Sequence, residues 1–139
     1  MVFICDISVF NKYGKLKLDS LLHPLNMDWH DLVAMLIIEQ MPGISQTRLV
    51  PFMQTDKANV TKMLQLLEQK DLIRREPDRG DQRVKVSSLT DHGKAMLPQL
   101  HEIMNAWENT CFQGISQKDR KVYERVAKII TDNLMEDKI

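Results

Sequence analysis

Long apolar runs are absent from this chain of 139 residues, and glycine and proline number only five each. A membrane-spanning helix needs about 18 or more apolar residues in succession, so the sequence predicts no membrane segment. The low glycine and proline content excludes a collagen-like or low-complexity chain. Two cysteines exclude a disulfide framework. The N-terminal MVFIC stretch lacks the basic start of a secretory signal, so we expect a reducing, cytoplasmic setting.

Excess charge of one sign is also missing, since 19 basic and 19 acidic residues leave a net charge of zero. This balance excludes a uniformly basic nucleic-acid binder. The charge is unevenly distributed, however, because residues 45–94 contain ten basic and seven acidic side chains. The middle of the chain is therefore basic and its ends are acidic. Because only local charge meets a phosphate, a nucleic-acid partner stays open.

Motifs for catalysis and metal binding are missing as well. The chain has no glycine-rich phosphate loop, no G-x-S-x-G and no H-E-x-x-H, so we expect neither an enzyme nor a cofactor. No histidine lies three or four residues from another histidine or a cysteine, which is the spacing of a metal site on one helix face. We therefore expect no bound metal.

Helical patterns dominate what is present. Residues 3–22 have a β-prone composition, but their apolar positions recur in steps of three and four, which favours a helix. Further helix starts are predicted at side chains that cap helix N-termini. These are Asp28, Ser45, Thr55 or Asp56, Thr90 and Ser116. Pro51 is expected to shorten the helix that begins after Ser45, because proline removes a backbone donor.

One hairpin interrupts the helices, formed by LIRREP, the loop PDRGDQ and RVKVSSL. Val84, Val86 and Ser88 alternate with Arg83, Lys85 and Ser87, which predicts one half-buried and one outer face. The element order predicts a mainly α fold with a small β-hairpin wing in a single domain, residues 1–139. A winged helix-turn-helix over 25–90 would contain the helix pair at about 44–67 and the wing at about 72–89. Apolar stripes in 1–24 and 91–139 predict dimerisation helices.

The recognition helix and wing resemble those of the multiple antibiotic resistance regulators, the MarR family. The wing pattern of that family appears here as Asp81, Gln82 and Arg83, followed by Leu89, Thr90 and Gly93. The resemblance implies a homodimeric transcription regulator, usually a repressor, whose operator is released by a small effector or an oxidant. Asp71 stands where the family usually has glycine, and we expect it to adopt the left-handed conformation that the turn requires.

Candidate DNA contacts lie on the front of the helix before the hairpin and on the hairpin itself. They are Lys57, Ala58, Asn59, Thr61, Lys62, Gln65, Arg74, Arg75, Arg79, Asp81, Arg83 and Lys85. Asn and Gln can pair with adenine and Lys with guanine, whereas an arginine held by Asp81 suits a narrow minor groove. Arg74, Arg75 and Lys85 are candidates for phosphate contacts. A merely solvated surface remains the alternative for all of them.

Two further functions are open at other residues. His23, Trp29 and His30 are candidates to border an effector pocket, although partial burial at a helix junction is favoured. Cys5 and Cys111 are interpreted as small buried residues, while a bridge between them across a dimer stays open. A thiol redox-sensing regulator, or a protein-interaction module on the same fold without DNA binding, are the alternative functions.

Overall fold

The computed structural model describes residues 2–136, and its helices and strands follow the predicted order. The helices are α1 Phe3–Val9, α2 Lys15–Leu22, α3 Trp29–Gln40, α4 Gln46–Leu49, α5 Lys57–Gln69, α6 Asp91–Cys111 and α7 Gln117–Met135. The strands are β1 Ile44–Ser45, β2 Ile73–Pro77 and β3 Lys85–Leu89. The predicted fold class, mainly α with a small β wing, is confirmed. No helix in this part of the chain is long and apolar enough to cross a membrane.

Side-chain caps begin the helices where the sequence predicted them. The caps of α3, α4, α5, α6 and α7 are Asp28, Ser45, Asp56, Thr90 and Ser116. Each accepts a hydrogen bond from the backbone N–H three residues further on, which satisfies one of the free donors at a helix start. Local chemistry therefore sets the helix starts.

Residues 3–22 are helical, as the apolar spacing predicted. Helices α1 and α2 are joined by a π-helical stretch, Phe10–Gly14, with backbone angles in the right-handed helical range at both junctions. The carbonyl of Gly14 accepts a hydrogen bond of 2.9 Å from the indole Nε1 of Trp107 in α6. A Cβ built at Gly14 would lie 3.5 Å from the Trp107 ring. The hydrogen bond to Trp107 thus joins the N-terminal helical segment to α6, and a Cβ at Gly14 would meet only ordinary van der Waals contact.

Pro51 shortens the first helix of the helix-turn-helix, as predicted. Helix α4 has only four residues, and a 3-10 turn over Val50–Phe52 follows it. The turn then passes through Gln54, whose φ of 53° is left-handed. The prediction for Asp71 is also confirmed, since its φ of 60° lets the chain reverse after α5.

The wing is part of a three-stranded antiparallel sheet with the order β1-β3-β2. Ile44 pairs with Ser87 on one edge of β3, and Ile73 pairs with Leu89 on the other. Val84, Val86 and Ser88 are half-buried, as predicted. The prediction that Ser87 lies on an outer face is wrong, because Ser87 is only 2% exposed. The two-residue strand β1 was not predicted. Because it pairs with Val86 and Ser87, these residues of β3 have a neighbouring strand on both sides.

The hydrophobic core lies between α2, α3, α4, α5, the sheet and α6. Its fully buried large side chains include Leu22, Met35, Ile38, Leu49, Leu64, Leu67 and Leu100. Helices α1 and α7 contribute no buried residue. Their large apolar side chains instead remain exposed, among them Phe3, Ile4, Val126, Ile129 and Leu134. A single chain therefore leaves both terminal helices without a packing partner for these residues.

Gly93 allows α6 to pack closely against the backbone of Leu72. A Cβ at this position would lie 2.1 Å from the carbonyl oxygen of Leu72, which itself accepts a hydrogen bond from the backbone of Thr90. We expect Gly93→Ala to lower the free energy of unfolding by about 1–3 kcal/mol, as overpacking does. Gly14→Ala is the matched control, because its new methyl group meets only ordinary van der Waals contact. Thermal melting of both variants tests this, and equal melting of Gly93→Ala and the wild type would contradict it.

Candidate nucleic-acid interface

Helix α5 presents a polar front because its apolar back is fixed in the core. Val60, Leu64 and Leu67 are fully buried. Residues on the opposite side of the helix are exposed. The exposed candidates are Lys57, Ala58, Asn59, Lys62 and Gln65. The structure thus brings five of the six predicted helix candidates onto one accessible surface.

Asn59 is held at the start of α5. Its backbone N–H donates to the capping carboxylate of Asp56 at 2.8 Å, and its side-chain Nδ2 donates to Thr55 Oγ1 at 2.9 Å. These bonds restrict the amide to one region of the helix front. An amide held in this way loses less freedom when it pairs with a ligand.

The wing tip is ordered by two aspartates. Asp78 Oδ2 accepts hydrogen bonds from the backbone N–H groups of Gly80 and Asp81, both at 3.1 Å. Asp81 then accepts from Arg83 Nε at 3.1 Å, from Arg83 Nη2 at 3.2 Å and from the Arg83 backbone. These bonds with Arg83 hold the pKa of Asp81 below its usual value. The Arg83 side chain is nevertheless 91% exposed, so its guanidinium is oriented and accessible at once.

The remaining wing candidates fall into two groups. Arg74, Arg79 and Lys85 are exposed, and Arg74 Nε forms an ion pair of 2.9 Å with Glu76. Arg75 is half-buried and lies on the same sheet face as Ile73, because side chains alternate along β2. The expected pair of phosphate-contacting arginines is therefore divided between the two faces of the sheet.

Arg75 and Thr61 meet at a residue that the sequence did not single out. Gln46, the first residue of α4, accepts a hydrogen bond from Arg75 Nη2 at 3.0 Å and donates one to Thr61 Oγ1. Thr61 also donates to the carbonyl of Lys57 at 2.9 Å. The alternation along β2 could have shown that one of two adjacent arginines points inward. Nothing in the sequence marked Gln46.

Several solved structures share this arrangement of helices and wing. A crystal structure of MarR matches with a TM-score of 0.88 and 22% identity, over 98% of this chain and 92% of that chain. A MarR transcriptional regulator from Methanosarcina mazei Go1 matches at 0.85 and 21%, over 94% of each chain. A cysteine-to-serine variant of MarR from E. coli, complexed with operator DNA, matches at 0.75 and 22%, over 89% of each chain. At these identities the likeness shows a common fold.

A family model matches the central part of the chain. Residues 28–85, from the cap of α3 to the start of β3, match the model of the MarR family. This part of the chain is similar to the MarR family. The resemblance predicted from the recognition helix and the wing is therefore confirmed.

The domain also contains a cavity of about 480 Å³ between the start of α3 and the side of α5. Its lining residues are Asn26, Asp28, His30, Asp31, Thr55, Asn59, Lys62, Met63, Leu66 and Lys70. The cavity therefore shares Asn59 and Lys62 with the exposed front of α5. Leu66 is 49% exposed and offers an apolar surface beside these polar groups.

Of the three effector candidates, only His30 lines this cavity. Trp29 stacks on His30 with ring centroids 3.8 Å apart, and Lys15 Nζ lies 3.9 Å from the Trp29 ring centroid on the side of α2. Lys15 Nζ also donates to the side-chain oxygen of Gln54 in the turn of the helix-turn-helix. His23 is exposed at the end of α2 and is not part of the lining. Trp29 therefore joins the N-terminal helix to the domain rather than facing the cavity.

The two cysteines are not the buried residues that were expected, since both are exposed in this chain. Partial burial, followed by the negative charge of Glu108, raises the pKa of the Cys111 thiol. A raised pKa lowers the thiolate fraction that reacts with oxidants. Across residues 2–136, no group of three or more His, Cys, Asp or Glu side chains is arranged to hold a metal ion.

Asp31 gives the cavity a pH-dependent charge. Burial raises the pKa of this carboxyl from 3.8 to about 6, the nearby Asp28 carboxylate adds to the shift, and Lys70 opposes it. The folded state therefore favours the protonated acid. The resulting stabilisation is complete below pH 3.8 and is lost as the pH rises through about 6.

We therefore expect Asp31→Asn to melt at a higher temperature than the wild type at pH 7.5 and at nearly the same temperature at pH 4. The asparagine oxygen can still accept the hydrogen bond that the Asp28 backbone donates at 3.0 Å. Calorimetric melting between pH 4 and 8 measures the difference. Asp132→Asn, which removes the same charge at an exposed ion pair on α7, is the control. A pH-independent difference for Asp31→Asn would contradict the assignment.

Proposed function

We propose that this chain is a transcription regulator that binds an operator in double-stranded DNA as a homodimer. The observation that carries the proposal is the joint exposure of the polar front of α5 and of a guanidinium held ready at the wing tip. Helix α5 would lie in the major groove and read bases through Asn59, Lys62 and Gln65. Arg83 would enter the adjacent minor groove. The operator complex of the E. coli relative supports this mode, because its fold is shared over 89% of this chain.

The regulator is proposed to act as a repressor at a pseudo-palindromic site. Two copies related by two-fold symmetry would place their recognition helices about 34–36 Å apart, one helical turn of DNA. A protein bound across a promoter excludes other proteins from it. Neutral net charge is compatible with this role, because the basic residues are concentrated in the part of the chain that would face DNA.

The exposed apolar surface of the terminal helices supports the dimer. Val2, Phe3, Ile4 and Phe10 are all more than 60% exposed, and Leu134 near the other terminus is 74% exposed. Apolar patches of this kind mark interaction sites on soluble proteins. We propose that a second copy of the chain covers this surface. Pairing about a two-fold axis would bury the apolar side chains of both α1 and α7 in one interface.

We expect the chain to sediment as a dimer at micromolar concentration, with more than about 2,000 Å² buried in total, as obligate interfaces require. Ile129→Glu together with Leu134→Glu should give monomers, because a buried glutamate carries a desolvation cost. Lys118→Glu together with Lys121→Glu, at exposed polar positions of the same helix, is the control. A stable folded monomer of the wild type in sedimentation would refute the dimer.

The wing arginine provides the sharpest test of DNA binding. Arg83→Ala should weaken binding to operator DNA by about 1–3 kcal/mol, the usual worth of a specific arginine contact. Its melting temperature should hardly move, since substitutions at exposed sites change stability by about 0.5 kcal/mol or less. Asp81→Ala should have the same effect in weaker form, with little added loss in the double variant. Fluorescence anisotropy on fragments of the chain's own upstream DNA, at fixed salt, measures these affinities.

Lys17→Ala is the matched control, because it removes one positive charge from an exposed position on α2. If Arg83→Ala binds like the wild type but melts several degrees lower, the arginine is a structural brace. If the wild type binds none of the upstream fragments, the proposed function gives way to an interaction module without DNA binding.

An effector is proposed to act through the cavity beside α5. A ligand resting on Met63 and Leu66 would contact Asn59 and Lys62, which are also proposed to face DNA. Occupancy of the cavity and binding of the operator would then exclude one another, which is a negative coupling between two ligands. The oxidant-sensing alternative has less support, because Cys111 has a raised pKa. Both ideas can be examined in the operator titration, with added ligand or after peroxide.

A further inference from the structure

Gln46 occupies the junction of three elements. Its backbone begins α4 directly after Ser45, and Ser45 pairs with Val86 in the wing strand β3. Its side-chain amide then reaches both β2 and α5: Oε1 accepts from Arg75 Nη2 at 3.0 Å, and Nε2 donates to Thr61 Oγ1. A single side chain thus joins the first helix of the helix-turn-helix, the recognition helix and the wing.

The orientation of this amide is fixed by its partners. Thr61 has one hydroxyl proton, which it donates to the Lys57 carbonyl at 2.9 Å, so its oxygen can only accept from Gln46. Arg75 has donors only, so the oxygen of Gln46 must face it. One rotamer of the amide therefore satisfies both neighbours, and the reversed amide satisfies neither.

Arg75 depends on this contact. Its Nε–H is buried and has no hydrogen-bond partner, and no carboxylate within residues 2–136 forms an ion pair with its guanidinium. A half-buried cation without a counter-charge is costly unless polar atoms hold it. The backbone N–H of Arg75 meanwhile donates to Glu68 Oε2 of α5 at 3.3 Å. The bond to Gln46 therefore anchors a charged side chain of β2 that lies on the same sheet face as the buried Ile73.

We propose that Gln46 is a positioning residue, which fixes the recognition helix relative to the wing so that α5 and Arg83 reach DNA together. This inference rests on the proposed function. It also assigns Thr61 and Arg75 to the network behind the reading surface instead of to direct contacts with bases or phosphates. Two elements held in one relative orientation lose less freedom when they bind two grooves at the same time.

The test compares Gln46→Leu, which removes both bonds, with Gln46→Glu. The glutamate still accepts from Arg75, and the Thr61 hydroxyl can turn to donate to it. Gln99→Leu, the same exchange at an exposed position of α6, is the control. We expect Gln46→Leu to bind operator DNA at least tenfold more weakly, Gln46→Glu to recover most of the affinity, and Gln99→Leu to match the wild type.

If Gln46→Leu only destabilised the fold, its effect on DNA affinity and that of Arg83→Ala would be additive. In the background of Gln46→Leu, Arg83→Ala should cost several-fold less affinity than in the wild type, because an unpositioned wing contributes less. Melting temperature and sedimentation are measured for every variant. Additive effects of Gln46→Leu and Arg83→Ala, or wild-type affinity of Gln46→Leu, would overturn the inference.

A measurement without DNA keeps the inference separate from the proposed function. Proton exchange at Arg75 Nε–H, followed by NMR, should be slow in the wild type and in Gln46→Glu and faster in Gln46→Leu. If exchange is equally fast in all three, the network does not hold the wing and the inference fails even though the chain binds DNA. If exchange changes as expected but the wild type binds no upstream fragment, it is the proposed function that fails, and the role of Gln46 in DNA binding fails with it.

Discussion

The pairing of β3 with strands on both of its edges is the constraint on which the rest of the domain depends. On one side, β1 ties the start of α4 to the sheet, and on the other side β2 continues directly from the turn after α5. The two helices of the helix-turn-helix and the wing are therefore built around the same strand. The apolar back of α5 then completes the core against this frame, which leaves the front of the helix to the solvent. The candidate residues of α5 are therefore exposed because the opposite side of the helix is packed in the core.

Features set by neighbouring residues in the chain could be predicted from the sequence. Each capping side chain acts on a backbone group three residues away, Pro51 acts on its own turn, and Asp71 adopts its left-handed angle because the chain must reverse there. Features that depend on distant partners could not. Ser87 is buried at the centre of a sheet whose third strand has only two residues, and such a strand has too few positions to show a period. Gln46 acts through side chains 15 and 29 residues away. The exposure of Cys5 and Cys111 likewise depends on how helices distant in sequence pack, which a local pattern does not show.

The charges of the wing explain how a neutral protein can expose oriented guanidinium groups. Arg83 and Arg74 each have an acidic neighbour two residues away, and these pairs orient the guanidinium groups without burying them. Exposed ion pairs contribute little to stability, so we interpret Glu76 and Asp81 as residues that orient the arginine side chains. The net charge of the whole chain therefore does not show that the wing exposes oriented guanidinium groups. Arg75 shows the opposite case, since its charge is turned inward and is held by a neutral amide.

Two consecutive residues of the N-terminal helical segment contact different parts of the molecule. The carbonyl of Gly14 is bonded to Trp107 in α6, while the ammonium of Lys15 lies over Trp29 and bonds Gln54 in the turn that precedes α5. The segment thus connects α6 directly to the turn of the helix-turn-helix. A displacement of its exposed, apolar residues 3–10 would reach that turn through these contacts. In the proposed dimer, the angle between the terminal helices would therefore influence the distance between the two proposed DNA-binding surfaces.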